Sequence, residues 1–153
     1  MKSVALIGTG LMGKPMAMNV LRKGFPLTVY NRTVNKTVEL AAAGAKVARS
    51  PREEADSADV VVTMLSNIEA VESTLTGKDG ILGAMRAGKI YIDMSTITPE
   101  ASRKFAHLVE AAGAKMLDAP VSGSTNVAEN GELTIIVGGD PRVLDEVREV
   151  LQA

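Results

Sequence analysis

Ser3-Val4-Ala5-Leu6-Ile7-Gly8-Thr9-Gly10-Leu11-Met12-Gly13 is the stretch from which the rest of this 153-residue chain is read. A short apolar run of strand type enters a G-x-G-x-x-G turn, and the turn opens a helical segment over Leu11–Lys23. That order belongs to a dinucleotide-binding unit. The first glycine allows a tight turn, the second lets the backbone approach a pyrophosphate, and the third lets helix and strand pack closely. The helix start then offers unpaired N–H groups and a positive dipole end to phosphates. A glycine-rich turn also arises for steric reasons alone, and the strand before it and helix after it select the ligand-binding reading. Gly8, Thr9, Gly10, Leu11, Met12 and Gly13 are therefore the candidate phosphate contacts. Met16 and Val20, further along the helix, are read as packing residues.

Outward from this turn, apolar runs alternate with helical patterns. The expected strands are Ser3–Ile7, Leu27–Asn31, Ala45–Val47, Val60–Met64, Lys89–Asp93, Lys115–Asp118 and Leu133–Val137. The expected helices are Leu11–Lys23, Asn35–Ala43, Pro51–Ala55, Glu69–Leu75, Pro99–Ala112 and Pro141–Leu151. Continuous runs such as Val60-Val61-Val62 suit strands buried on both faces. Gly24, Gly44 and Gly113 follow helical stretches as C-caps, and Thr98 before Pro99 reads as an N-cap. The alternation predicts an α/β domain, a Rossmann-type doubly wound and mostly parallel sheet with helices on both faces, over residues 1–153.

Composition narrows the function. Seventeen Lys and Arg face 18 Asp and Glu, a net charge of -1, which gives no general attraction to nucleic acid or anionic membrane. Two Phe, two Tyr and no Trp leave little for base stacking. No apolar run approaches the roughly 18 residues of a membrane span. Cysteine is absent, which excludes disulfides and thiolate chemistry and fits a cytoplasmic location. His107, the single histidine, has no second ligand four residues away, so no metal site is expected.

The second strand ends at Asn31-Arg32-Thr33, with Asn31 lying 23 residues after Gly8. An NAD site usually places Asp or Glu there to accept from the ribose 2′-hydroxyl. A neutral Asn31 followed by Arg32, with Thr33 and Lys36 close behind, suits a 2′-phosphate, which arginine pairs through two hydrogen bonds. NADP(H) is thus expected over NAD(H), the competing view being a solvated arginine on an ordinary loop.

Asp118-Ala119-Pro120-Val121-Ser122-Gly123-Ser124 follows the sixth expected strand, and Ala128 and Gly131 come after it. Here the chain resembles the β-hydroxyacid dehydrogenase family, which includes 3-hydroxyisobutyrate dehydrogenase, tartronate, glyoxylate and succinic semialdehyde reductases and, more distantly, 6-phosphogluconate dehydrogenase. The family motif D-A-P-V-S-G-G-x-x-x-A-x-x-G is matched except that Ser124 replaces the second glycine of its pair. Leu133–Gly139, L-T-I-I-V-G-G, continues the resemblance in family order. The residues also make chemical sense directly: Gly123 lets backbone N–H groups approach an anion, and the Ser122 and Ser124 hydroxyls can donate to a carboxylate. Asp118 is read as holding the loop. The resemblance further implies that Met64, Leu65 and Ser66 border the cofactor and that Thr96 lies near the nicotinamide, with a capping role as the alternative for Ser95 and Thr98.

The family's general acid/base is a lysine in a G-x-x-x-K-x-x-x-N pattern on a helix after this domain. No lysine here matches it, so no catalytic residue is assigned, and the all-helical dimerisation domain of the family is expected to be missing. Two readings follow. One is the cofactor half of an NADP-dependent oxidoreductase acting on a small carboxylate substrate, binding cofactor without turnover. The other is a stand-alone dinucleotide-binding or self-associating module, a homodimer through the surface near Leu133–Val137.

Overall fold

The computed structural model describes residues 1–153. In chain order the first elements are β1 (Val4–Ile7), α1 (Gly13–Arg22), β2 (Leu27–Tyr30), α2 (Val38–Ala42), β3 (Lys46–Val47), α3 (Pro51–Asp56), β4 (Val60–Thr63), α4 (Ile68–Thr76), β5 (Ile90–Asp93), α5 (Pro99–Ala111) and β6 (Lys115–Asp118). The six strands form one parallel sheet in the order β3-β2-β1-β4-β5-β6. The strand order reverses between β1 and β4, the topological switch point at which open α/β sheets hold ligands.

The central strands β1, β4 and β5 are buried along their whole length, and their side chains alternate between two cores. Val4, Leu6, Val60, Val62, Ile90 and Ile92 join one core with Ala17 and Val20 of α1 and Leu40 of α2. Ala5, Ile7, Val61 and Tyr91 join the other with Ala55 of α3, Val71 and Leu75 of α4, and Phe105 and Val109 of α5. Near-continuous apolar strands therefore need helices on both sides, and the chain supplies them.

Two regions depart from the sequence expectations. The expected strand Leu133–Val137 does not extend the sheet. Its residues Thr134–Ile135 (β8) pair antiparallel with Val121–Ser122 (β7) in a separate two-stranded ribbon. Pro120 has no N–H to continue a ladder, so the chain leaves the sheet after Asp118. It returns antiparallel, with Asp118 N–H donating to Gly138 O at 3.0 Å and Gly138 N–H to Asp118 O at 2.7 Å. Between the ribbon strands lies a short helix, α6 (Thr125–Glu129), and Pro141–Leu151 forms α7 as expected. The expected helix Asn35–Ala43 is instead a 3-10 turn, Val34–Thr37, running into α2. The Thr37 hydroxyl donates to Val34 O at 2.7 Å, closing that tighter turn.

Side-chain caps mark most helix starts: Ser50 for α3, Asn67 for α4, Thr98 for α5, Ser124 for α6 and Asp140 for α7. Helix α1 has none. No helix is long and apolar enough to cross a membrane.

Candidate functional site

Helix α1 begins where β1 ends, and its start is left open by construction. The N–H groups of Gly10, Leu11, Met12 and Gly13 donate to no atom of the chain, and Met12 at the N-cap position offers no side-chain bond. Four free donors at the positive end of a helix form an anion site.

The three glycines have separable causes. A Cβ on Gly13 would lie 1.7 Å from Gly8 O, and one on Gly8 would lie 2.2 Å from Met64 O. Both positions are closed by backbone, and Gly8 also sits at φ +97, a region that favours glycine. A Cβ on Gly10 would meet nothing within 4 Å. The fold demands Gly8 and Gly13. Gly10 leaves room on the ligand side, as close approach of a pyrophosphate requires.

Asn31 fastens this turn to the end of β2. Its Oδ1 accepts the Thr9 N–H at 3.0 Å, and its Nδ2 donates to Thr33 O at 3.0 Å. Thr9 is buried, and its hydroxyl donates to Lys36 O at 3.0 Å. The Asn31 carboxamide is thus engaged in holding the loops, a role that spacing did not reveal. Arg32 and Thr33 are exposed beside it, and neither Arg32 nor Lys36 pairs with a carboxylate. Arg32, Thr33 and Lys36 line one cleft together with Gly8, Leu65 and Ser66, and Glu69 is the carboxylate in its wall. Lys14 is turned away into an ion pair with Glu39 at 2.5 Å.

A second cleft runs from the same turn in the other direction. Thr9, Gly10 and Leu11 face Thr125, Glu129 and Asn130 across it. Leu11 is 85% exposed at its rim. Asn19 of α1 donates to Ala128 O at 2.7 Å and so ties α6 to α1. Helix α6 is capped by Ser124, whose Oγ accepts the Val127 N–H at 3.4 Å. Ser122 and Gly123 are exposed in front of this cap. A Cβ on Gly123 would press on Leu133 Cδ2 at 2.8 Å and Val127 Cγ1 at 2.9 Å. The Gly8–Gly13 turn and α6 therefore face each other across one cleft.

Beneath them lies a buried polar group that the strand patterns did not single out. Asp93 Oδ1 accepts from the Thr63 hydroxyl at 2.8 Å and from Ser95 N–H at 3.0 Å, and Thr63 Oγ1 shares a 2.8 Å bond with the Tyr91 hydroxyl. Burial pushes the Asp93 carboxyl up, partly offset by the Ser95 hydroxyl, the Ser95 N–H and the Thr63 hydroxyl, in that order. Asp118, its neighbour in register on β6, is raised by its own burial and then by the Asp93 charge. Thr98 caps α5, whereas Ser95 instead accepts the Leu65 N–H at 2.9 Å. Met64 is half-buried against the core, and Thr96 is exposed on the loop after β5. His107 is exposed on α5.

Residues 3–153 match the family model described as the NAD binding domain of 6-phosphogluconate dehydrogenase. The NAD-dependent L-serine dehydrogenase of Pseudomonas aeruginosa is 42% identical over 153 residues, covering 100% of this chain and 51% of that protein. Glyoxylate/succinic semialdehyde reductase 1 of Arabidopsis thaliana is 41% identical over 143 residues, covering 94% of this chain and 50% of that protein. The chain thus spans about half the length of these curated relatives. Among solved structures, the 3-hydroxyisobutyrate dehydrogenase of Mycobacterium tuberculosis with L-serine superposes with a TM-score of 0.93 at 37% identity, covering 99% of this chain and 51% of that one. Psf3 in complex with NADP+ and 2-OPP superposes with a TM-score of 0.93 at 31% identity, covering 97% and 53%.

Proposed function

The chain belongs to the family of the NAD-binding domain of 6-phosphogluconate dehydrogenase, and from that premise we propose that it is the NADP(H)-holding half of a β-hydroxyacid dehydrogenase. The observation that carries this reading is the open start of α1: four N–H groups without acceptors around a Gly10 that the chain itself does not crowd. Those donors receive the pyrophosphate. Arg32, with Thr33 and Lys36 beside it, pairs with a 2′-phosphate, and Asn31 in place of a carboxylate removes the charge that would repel one. The bound dinucleotide supplies or accepts the hydride.

On the turn that precedes α6, the exposed Ser122 hydroxyl and the backbone at Gly123 hold the carboxylate of a small hydroxy acid or semialdehyde. Ser124 contributes through its place at the head of α6, since its Oγ already accepts a backbone N–H. Proton transfer to the reacting oxygen falls to the lysine that the family carries beyond these residues. A missing proton-transfer group costs about 10²–10⁴-fold in rate. The purified chain is therefore expected to bind NADPH and to show no steady NADPH consumption with glyoxylate or succinic semialdehyde. Steady turnover, followed by absorbance, would overturn that division of labour.

A further inference from the structure

Thr63 and Asp93 lie side by side at the ends of β4 and β5, and the loops that follow them are tied together through a single hydroxyl. Ser95 Oγ accepts the Leu65 N–H at 2.9 Å. Ser95 itself is set by Asp93, whose Oδ1 takes its N–H at 3.0 Å, and Asp93 is set by the Thr63 hydroxyl, which bonds in turn to the Tyr91 hydroxyl. Every side chain in this chain of bonds is fully buried. The other Asp93 oxygen has no partner, a cost that a fold bears where a group is needed in place.

The sheet topology gives this strut a purpose. Leu65 and Ser66 form a wall of the cleft that holds Arg32 and Thr33, the adenosine side of the proposed site. Ser95 is the second residue after β5, in the half of the sheet beyond the switch point, where the other mononucleotide lies in a doubly wound fold. A dinucleotide spanning the crevice touches both loops, whereas its adenosine half touches one.

We propose that Ser95 is a positioning residue that locks the two loops in the relative register an intact dinucleotide needs. This rests on the dinucleotide-binding reading above. Ser95→Ala removes the acceptor for Leu65 N–H, and with it the hydroxyl's favourable interaction with the Asp93 carboxylate, while the bond from Ser95 N–H to Asp93 Oδ1 remains. The test is isothermal titration of wild type and variant with NADP+ and, separately, with 2′,5′-ADP, which lacks the nicotinamide half. Ser95→Ala is expected to weaken NADP+ about tenfold and to change 2′,5′-ADP by less than about twofold. Ser95→Cys, which keeps the volume with a weaker acceptor, is expected to lie between wild type and Ser95→Ala for NADP+. Equal weakening of both ligands would reduce Ser95 to a general structural role and overturn the proposal, as would unchanged NADP+ affinity. A wild-type chain that binds neither ligand overturns the dinucleotide reading itself, and the strut with it.

Discussion

The turn Gly8–Gly13 and the turn Pro120–Ser124 both leave the carboxyl end of a strand, yet they are shaped by different neighbours. The first is closed by backbone: Gly13 faces Gly8 O, Gly8 faces Met64 O, and Asn31 pins Thr9 from the adjacent strand. The second is shaped by side chains, Leu133 and Val127 against Gly123, and is held by a ribbon of two-residue strands and a five-residue helix. Backbone carbonyls at the end of a buried sheet cannot give way, but side-chain methyl groups can. The first turn is therefore preset by the sheet, whereas the second depends on what packs against it, with Asn19 linking the following helix α6 to α1.

The largest effect that bears on this contrast is expected from Gly13→Ala. Its Cβ would fall inside the Gly8 carbonyl, so helix α1 must shift from β1. A loss of about 3 kcal/mol in urea unfolding is expected, together with loss of cofactor binding. Stability within about 0.5 kcal/mol of wild type would show that the turn is not preset. Gly10→Ala sharpens the same point. With open space around its Cβ, stability should stay within about 0.5 kcal/mol, while NADPH affinity falls at least about tenfold because the methyl group occupies the pyrophosphate side. An unchanged affinity would mean that no phosphate approaches there.

Glu54, on α3 and lining neither cleft, separates fold stability from the site. Its carboxyl is fully buried with neither oxygen hydrogen-bonded, and burial pushes it well above the ordinary carboxylate range, the nearby Leu6 backbone offsetting only part. The raised folded-state value means that the stability contributed by the proton is full below the unfolded-state pKa of about 4.3. It is lost as pH rises from there toward the folded-state value, at up to about 1.4 kcal/mol per pH unit. Glu54→Met removes the group at similar length. Its advantage over wild type in urea unfolding is expected to be larger at pH 7 than at pH 5, with NADPH affinity unchanged. A gap independent of pH would contradict the assignment.

What the sequence showed and hid follows from range. Strands β1, β4 and β5 were legible to within one residue because their apolar runs are bounded by local punctuation, and Gly8, Gly10 and Gly13 carry a spacing with one mechanical meaning. The region 121–138 was not, because two-residue strands and a five-residue helix are shorter than any period that could reveal them. In the sequence Asn31 stands out only for its neutrality, because its grip on Thr9 spans 22 residues and exists only after β1 and β2 pair. The Asp93–Ser95–Leu65 connection likewise needs β4 beside β5. Local chemistry was readable in the chain, while bonds between loops awaited the sheet that brings them together.

This domain by itself is expected to hold a dinucleotide and to read its 2′-phosphate. The most direct measurement is fluorescence titration of the 153-residue chain and its Arg32→Asp variant with NADPH and with NADH. Wild type is expected to bind both, NADPH about tenfold or more tightly than NADH, and Arg32→Asp to erase that preference by weakening NADPH alone. Absence of binding, or an equal loss for both cofactors in the variant, would contradict it.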